Sequence, residues 1–320
     1  MLAEHHTRKR FFLAFLLFLL SAISFLDRTN ISIAGLQISS EYGLGNQHLG
    51  WIFSAFLIGY AGFQVPAGWL ASRFGPRLVI ALGVVWWGVA TAVTTLIPAG
   101  ISQAVVLLIA IRFTLGAGEA VIYPAANQFV ARWVPEHERG VINGLIFAGV
   151  GAGSGLTPPL LAWFILHHGW RSAFWFSAII GVVAGGVWWW FARDTPEEDP
   201  KVSPSELKTI LEGIAESTDI TADGVPISST PVVISWSAIF KRRDLLALFV
   251  SYFGFGYTAW IFFSWFFLYM AQVRGFNLKA SAMFSMLPFL SMTVGCLGGG
   301  ALSDRLTRVY GLRAGRCGPG

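Results

Sequence analysis

Four ionisable residues sit inside long apolar runs of this 320-residue chain: Asp27 and Arg28 in the first run, Arg112 and Glu119 in the fourth. At the centre of a bilayer such a side chain costs about 3 kcal/mol or more on insertion scales. Each therefore calls for a polar partner or a water-filled path. Arg112 and Glu119 are two helical turns apart and share one helix face. A guanidinium can replace the water around a carboxylate in bidentate geometry, which makes Arg28 and Arg112 candidates for holding an anion. Adjacent helical residues point about 100° apart, so Asp27 and Arg28 cannot both face one cavity; one of them should contact a neighbouring helix. The alternative is a set of structural pairs, Asp27–Arg112 or Arg28–Glu119, that pin helices together. Buried pairs are weak evidence for stability, which favours a functional reading.

The runs that must position these charges dominate the composition. The chain is 55% hydrophobic and only 12% charged, with mean hydropathy +0.62; soluble domains carry about 25% charged residues. Its 14 Trp and 27 Phe suit a protein whose aromatics face lipid and its interfaces. The net charge of +5 does not gather into one patch, so no nucleic-acid partner is expected. Two cysteines, Cys296 and Cys317, suggest neither a disulfide framework nor a metal site. There is no G-x-x-x-x-G-K-[ST] phosphate loop and no catalytic constellation. Neither a cofactor nor an enzyme activity is expected.

Eight runs are long enough to span a bilayer: 11–37, 48–70, 77–97, 102–131, 141–167, 172–192, 245–272 and 281–303. With the runs threaded back and forth, seventeen of the 22 Lys and Arg fall on the side of the N-terminus, three fall opposite, and Arg28 and Arg112 stay within the membrane. By the positive-inside rule the N-terminus is cytoplasmic. The first segment lacks a small-residue cleavage site and reads as a retained helix. This divides the chain into a six-helix unit (1–192), a hydrophilic linker (193–244), two further helices (245–303) and a polar tail (304–320). Ser203-Pro204-Ser205-Glu206 in the linker has capping-box spacing with Pro at the first helical position, which predicts a short helix over 204–216.

Gly68-Trp-Leu-Ala-Ser-Arg73 recurs as Gly300-Ala-Leu-Ser-Asp304-Arg305, 232 residues later. Repeated halves around a midplane site mark transporters. A second half matching the first would need four more helices, so the chain reads as truncated or frame-shifted. Gly149, Gly151, Gly153 and Gly155 make the fifth run thin; close packing is the expectation, with a hinge as the alternative.

The stretch Gly68-x-Leu-Ala-x-Arg73-x-Gly75-Pro-Arg77 resembles the loop 2–3 signature of the major facilitator superfamily. That family usually has Asp where this chain has Ser72, while the second copy keeps Asp304; this puts the charge latch of the N-terminal half in question. FLDRTNISIA (25–34), RFTLGAGEAVIYPAAN (112–127), RWVPEHERG (132–140) and HGWRSAFW (168–175) are similar to its anion:cation symporter branch, which includes sugar-acid, hexuronate and other organic-anion permeases. The resemblance implies an all-α integral membrane bundle, with a six-helix N-terminal half and the first two helices of the C-terminal half. It also implies a monomer in a bacterial inner membrane, carrying a small organic anion with a proton, or Na+, as coupling ion. Arg28 and Arg112 would bind the anion, Asp27 and Glu119 would take the proton, and Tyr60 would contact substrate. Gln64, one turn beyond Tyr60, and Asn30 and Tyr123, one turn from Asp27 and Glu119, are further candidates. Phe25 stands where many members carry a tyrosine. The alternative is a membrane sensor that no longer transports, or an inactive fragment of a carrier.

Overall fold

The computed structural model describes residues 7–218 and 242–310. They form ten α-helices: α1 (Lys9–Tyr42), α2 (Asn46–Phe74), α3 (Pro76–Thr94), α4 (Ala104–Glu119), α5 (Ile122–Trp133), α6 (Glu136–His168), α7 (Trp170–Phe191), α8 (Pro204–Thr218), α9 (Arg243–Leu268) and α10 (Leu278–Tyr310). Among the described residues, seven helical stretches are long and apolar enough to cross a membrane, with α4 and α5 counted together as one. The eighth run lies within the 33 residues of α10; several of its side chains, those of Gly300 and Asp304 included, lie outside the described residues.

The turns form where the sequence breaks helical hydrogen bonding. Between α2 and α3, Gly75 has φ +86°, a conformation that costs a residue with a Cβ, and Pro76 opens α3 at its first turn. A Cβ at Gly75 would also lie 2.5 Å from the Asp194 carboxylate.

Three local features differ from the sequence expectation. The run 102–131 is not one helix: Ala120 and Val121 form a turn between α4 and α5. Pro124 has no N–H to donate to the Ala120 carbonyl four residues back, so the ladder breaks there. The last helix continues past 303 to Tyr310, because the segment after Gly300 contains no further glycine or proline up to that point. The capping box at Ser203 closes on one side only. The Glu206 N–H donates to Ser203 Oγ, but the Glu206 carboxylate turns to the start of α1 and accepts from Thr7 Oγ1, the N–H groups of Lys9 and Arg10, and the Arg10 guanidinium. It thus satisfies N–H groups that a helix start leaves unpaired, and it ties α8 to α1.

The most extensive helix contacts are α1 with α6, α2 with α4, α6 with α10, and α3 with α7. Glycines line all four; Gly88 of α3 and Gly181 and Gly185 of α7 serve the last of them. Gly59 and Gly116 bring α2 and α4 into backbone contact, so that a Cβ on either would meet the other helix's backbone (the carbonyls of Phe113 and Phe56). On α6, Gly149 and Gly153 face Phe18 and Ala22 of α1, whereas Gly151 and Gly155 face Thr293, Phe289 and Leu290 of α10. Close packing explains this stripe, as small residues in membrane helices commonly do.

The buried core has two main apolar clusters. One, toward the linker end of the bundle, includes Leu13, Leu17, Trp87, Phe129, Trp133 and Trp188. The other, toward the opposite end, includes Ile31, Ile38, Leu49, Leu108, Leu161 and Phe174. Buried polar residues fall between them along α1: Ser21, Ser24, Asp27 and Arg28, level with Arg112 and Glu119 from α4.

Candidate functional site

Both carboxylates and both arginines of the sequence reading are buried in this polar layer. Arg28 Nε donates to Glu119 Oε2 at 2.6 Å, the two side chains being 2% and 0% exposed. Of the two pairings open to the sequence, this is the one formed; the Asp27–Arg112 pair is not, though Arg112 lies within Coulombic reach of Asp27, Glu119 and Arg28. Asp27 instead accepts a hydrogen bond from Thr91 Oγ1 on α3 at 3.2 Å. As the 100° rule requires, Asp27 contacts a neighbouring helix while Arg28 turns toward α2 and α4.

Arg28 occupies an aromatic cage. Its guanidinium carbon lies 4.4 Å from the ring centre of Phe25, 4.3 Å from that of Tyr60, 5.6 Å from Phe56, 5.9 Å from Trp260 and 6.0 Å from Tyr123. Rings within about 6 Å attract a cation through their quadrupoles, and more strongly once water is gone. Tyr123 is fixed by a 3.0 Å hydrogen bond between its hydroxyl and Ser21 Oγ. Trp260 comes from α9, beyond the linker, and packs on Phe56 and Tyr60. Ser32 Oγ donates to the Ser264 carbonyl nearby, also across α1 and α9.

Arg112 lies across the Phe56 ring, 5.0 Å from its centre, and makes no ion pair or hydrogen bond among the described residues. Its Nε is buried without a partner, as are Arg28 Nη2, Asp27 Oδ2, Asn30 Oδ1 and Glu119 Oε1. Buried polar atoms are rarely left unpaired, and here five lie on α1 and α4.

The other sequence candidates divide. Tyr60 and Tyr123 join the Arg28 cage. Asn30 Nδ2 donates to Ser177 Oγ on α7 at 3.2 Å, so its amide serves the α1–α7 contact. Gln64 is half-buried, one turn along α2 from Tyr60. In loop 2–3, Gly68 accepts from Gln128 Nε2 at its carbonyl, Arg73 is exposed, and the Arg77 guanidinium donates to the Trp189 carbonyl (2.7 and 3.2 Å) while its backbone N–H donates to Asp194. Ser72 satisfies itself on the Trp69 carbonyl. The acid that braces this turn is therefore Asp194, at the end of α7. Of the repeat, Arg305 is exposed on α10; Gly300 and Asp304 share that helix. The expectation missed Trp260, Phe56, Thr91 and Ser177. An aromatic or a hydroxyl in an apolar run carries no spacing signal; only the position of Arg28 and Asp27 singles these out. Among the described residues no cluster of His, Cys, Asp and Glu could hold a metal ion.

The helices and their buried charge layer define an integral, multi-pass membrane protein. A profile of the Major Facilitator Superfamily matches residues 17–316, and the chain belongs to that superfamily. It is 34% identical over 292 residues to a protein of Cupriavidus necator named "Probable sulfoacetate transporter", covering 90% of this chain and 64% of that protein. It is 30% identical over 311 residues to a "Probable galactarate/D-glucarate transporter" of Bacillus subtilis, covering 96% and 67%. The chloroplastic ascorbate transporter of Arabidopsis thaliana is 33% identical over 281 residues, covering 88% and 49%. The chain thus spans about half to two thirds of the length of these curated relatives. Among solved structures, a bacterial homolog of the human lysosomal transporter Spinster, inward-facing and unoccupied, aligns with TM-score 0.66 at 22% identity over 94% of this chain and 64% of that chain. A D-xylose–proton symporter aligns with TM-score 0.65 at 14% identity, covering 92% and 69%. These two likenesses show the fold.

Proposed function

We propose that the protein is a secondary active transporter that carries a small organic anion, of the sugar-acid or related carboxylate type, together with a proton by alternating access. The observation that carries this reading is the charge balance of the buried layer. Two arginines face two carboxylates, and only Arg28 and Glu119 are ion-paired. Fully ionised, the layer is neutral. One added proton leaves it with a single positive charge, which one substrate carboxylate can neutralise.

In this scheme Glu119 holds Arg28 until a proton neutralises its carboxylate and releases the guanidinium. Arg28 and the unpaired Arg112 then present two forks to the anion, replacing its water with charge-assisted hydrogen bonds. Asp27 is the second proton site, held away from the arginines by Thr91. Tyr60 and Trp260 close the cage and keep water out. The printed names of the relatives, sulfoacetate and galactarate or glucarate transporters, support an acid with two anionic groups. The excess of Lys and Arg at the linker end supports a cytoplasmic N-terminus.

The test is uptake of labelled sugar acids and sulfoacetate into proteoliposomes bearing the protein as encoded, with an inward proton gradient or an inward Na+ gradient. Accumulation above equilibrium with the proton gradient alone is the expected result. Uptake driven only by Na+ would overturn the coupling, and no uptake of any organic anion would overturn the substrate class.

A further inference from the structure

We propose that a second anion site lies at the linker end of the bundle, and that it holds the phosphate headgroup of an anionic phospholipid. A cavity of about 430 Å³ opens there, bounded by the start of α1, the start of α3, the end of α7 and the segment that follows it. Four cations line it, Lys9, Arg77, Arg193 and Lys201, against one carboxylate, Asp199. Lys9 is paired with Asp199 at 3.1 Å; the other three form no ion pair among the described residues.

Two of these, Arg77 and Arg193, are positioned by α7. A helix ends with carbonyls that have no intrahelical partner. Arg77 takes up that of Trp189 (2.7 and 3.2 Å), and Arg193 takes up those of Ala192 (2.7 Å) and Trp190 (3.2 Å). The Arg77 guanidinium carbon also lies over the Trp189 ring, 4.0 Å from its centre. Both guanidiniums are thus held in place by neutral groups, their charge not offset by a direct acidic partner. Asp194 and Glu198 are within Coulombic reach of Arg77, but Asp194 is engaged by the Arg77 backbone N–H.

The shared chemistry is that of a phosphate anion, and the surroundings favour the lipid-borne form. Trp189 and Trp190, 44% and 74% exposed, place the cavity at the depth where aromatic side chains sit among headgroups. From its rim an apolar surface continues along the bundle through Val187 and Val183 of α7, where acyl chains can lie. Basic clusters beside membrane helices attract anionic lipids. This inference needs only the membrane setting, so it stands or falls apart from the transport reading.

The intact protein, purified in detergent, would be titrated with phosphatidylglycerol or phosphatidylcholine and weighed by native mass spectrometry. The expected result is one retained phosphatidylglycerol, at least tenfold preferred over phosphatidylcholine. A double substitution Arg193→Glu with Lys201→Glu should remove that preference, as should the milder Lys201→Ala in part. Arg73→Glu, at the same surface but outside the cavity, should leave it intact. Equal binding of the two lipids, unchanged retention in the double variant, or an equal loss in Arg73→Glu would overturn the proposal. Displacement of the lipid by millimolar inorganic phosphate would show a soluble-anion site instead and overturn the lipid assignment.

Discussion

Arg28 and Glu119 meet through a single hydrogen bond, Nε to Oε2 at 2.6 Å, while Oε1 of the acid and Nη2 of the arginine stay buried and unpaired. The pair is therefore half used. Removing one member leaves the other as a buried, uncompensated charge, a loss of about 3–5 kcal/mol in comparable cases. Glu119→Gln and Arg28→Gln should each lower the melting temperature of the purified protein by several degrees, and the double variant should recover most of the loss. Simple addition of the two effects would show that the pair is not coupled in solution.

Arg112 should behave differently. It has no direct ion pair to break, so Arg112→Gln should lower the melting temperature less than Glu119→Gln or Arg28→Gln does, while anion binding weakens at least tenfold. Isothermal titration beside a thermal melt separates the two. A variant that melts early yet binds normally would make Arg112 a structural residue.

Trp260 reaches the cage from beyond the linker. With Cys296 and Cys317 replaced by Ser, a cysteine at position 60 should react slowly with a membrane-impermeant thiol reagent when Trp260 is present. In a Trp260→Ala background it should react at least tenfold faster. Equal rates would mean that Trp260 does not shield the cage.

The close approach of Gly59 to the Phe113 carbonyl, and of Gly116 to the Phe56 carbonyl, sets the distance between α2 and α4 beside Arg112 and Phe56. An added methyl must push backbone rather than a pliant side chain, and overpacking of this kind costs about 1–3 kcal/mol. Gly59→Ala should lower stability by that amount and weaken anion binding. Gly62→Ala, on the same helix with nothing within 4 Å, is the control and should do neither.

Glu206 joins α8 to the start of α1 through four hydrogen bonds. Glu206→Ala should release the linker, read as faster tryptic cleavage after Lys201 and Lys208. Unchanged cleavage would mean that α8 docks by its apolar face alone, through residues such as buried Ile210.

The spans were legible because lipid allows few solutions: apolar runs of sufficient length must be helices. The charge layer was legible for the same reason, since Arg112 and Glu119 share a face by spacing alone. Which acid would take Arg28 was not, because α1 and α4 contribute one member each and their relative height is set by packing at Gly59, Gly116, Gly149 and Gly153. The break after Glu119 was in plain view as Pro124, but an unbroken apolar run from Val105 to Val130 outweighed it. The cage could not be read at all: attraction between a guanidinium and a ring leaves no periodicity, and Trp260 is one of 14 tryptophans.

The glycines of α6 have a mechanical consequence. Gly149 and Gly153 present bare backbone to α1, and Gly151 and Gly155, about 200° around the helix, present it to α10. A methyl at 149 or 153 would have to displace the backbone of α1, and one at 151 or 155 would have to displace Thr293 or Leu290 of α10. One helix thus sets two spacings at once: that of α1, which carries Asp27 and Arg28, and that of α10 from beyond the linker.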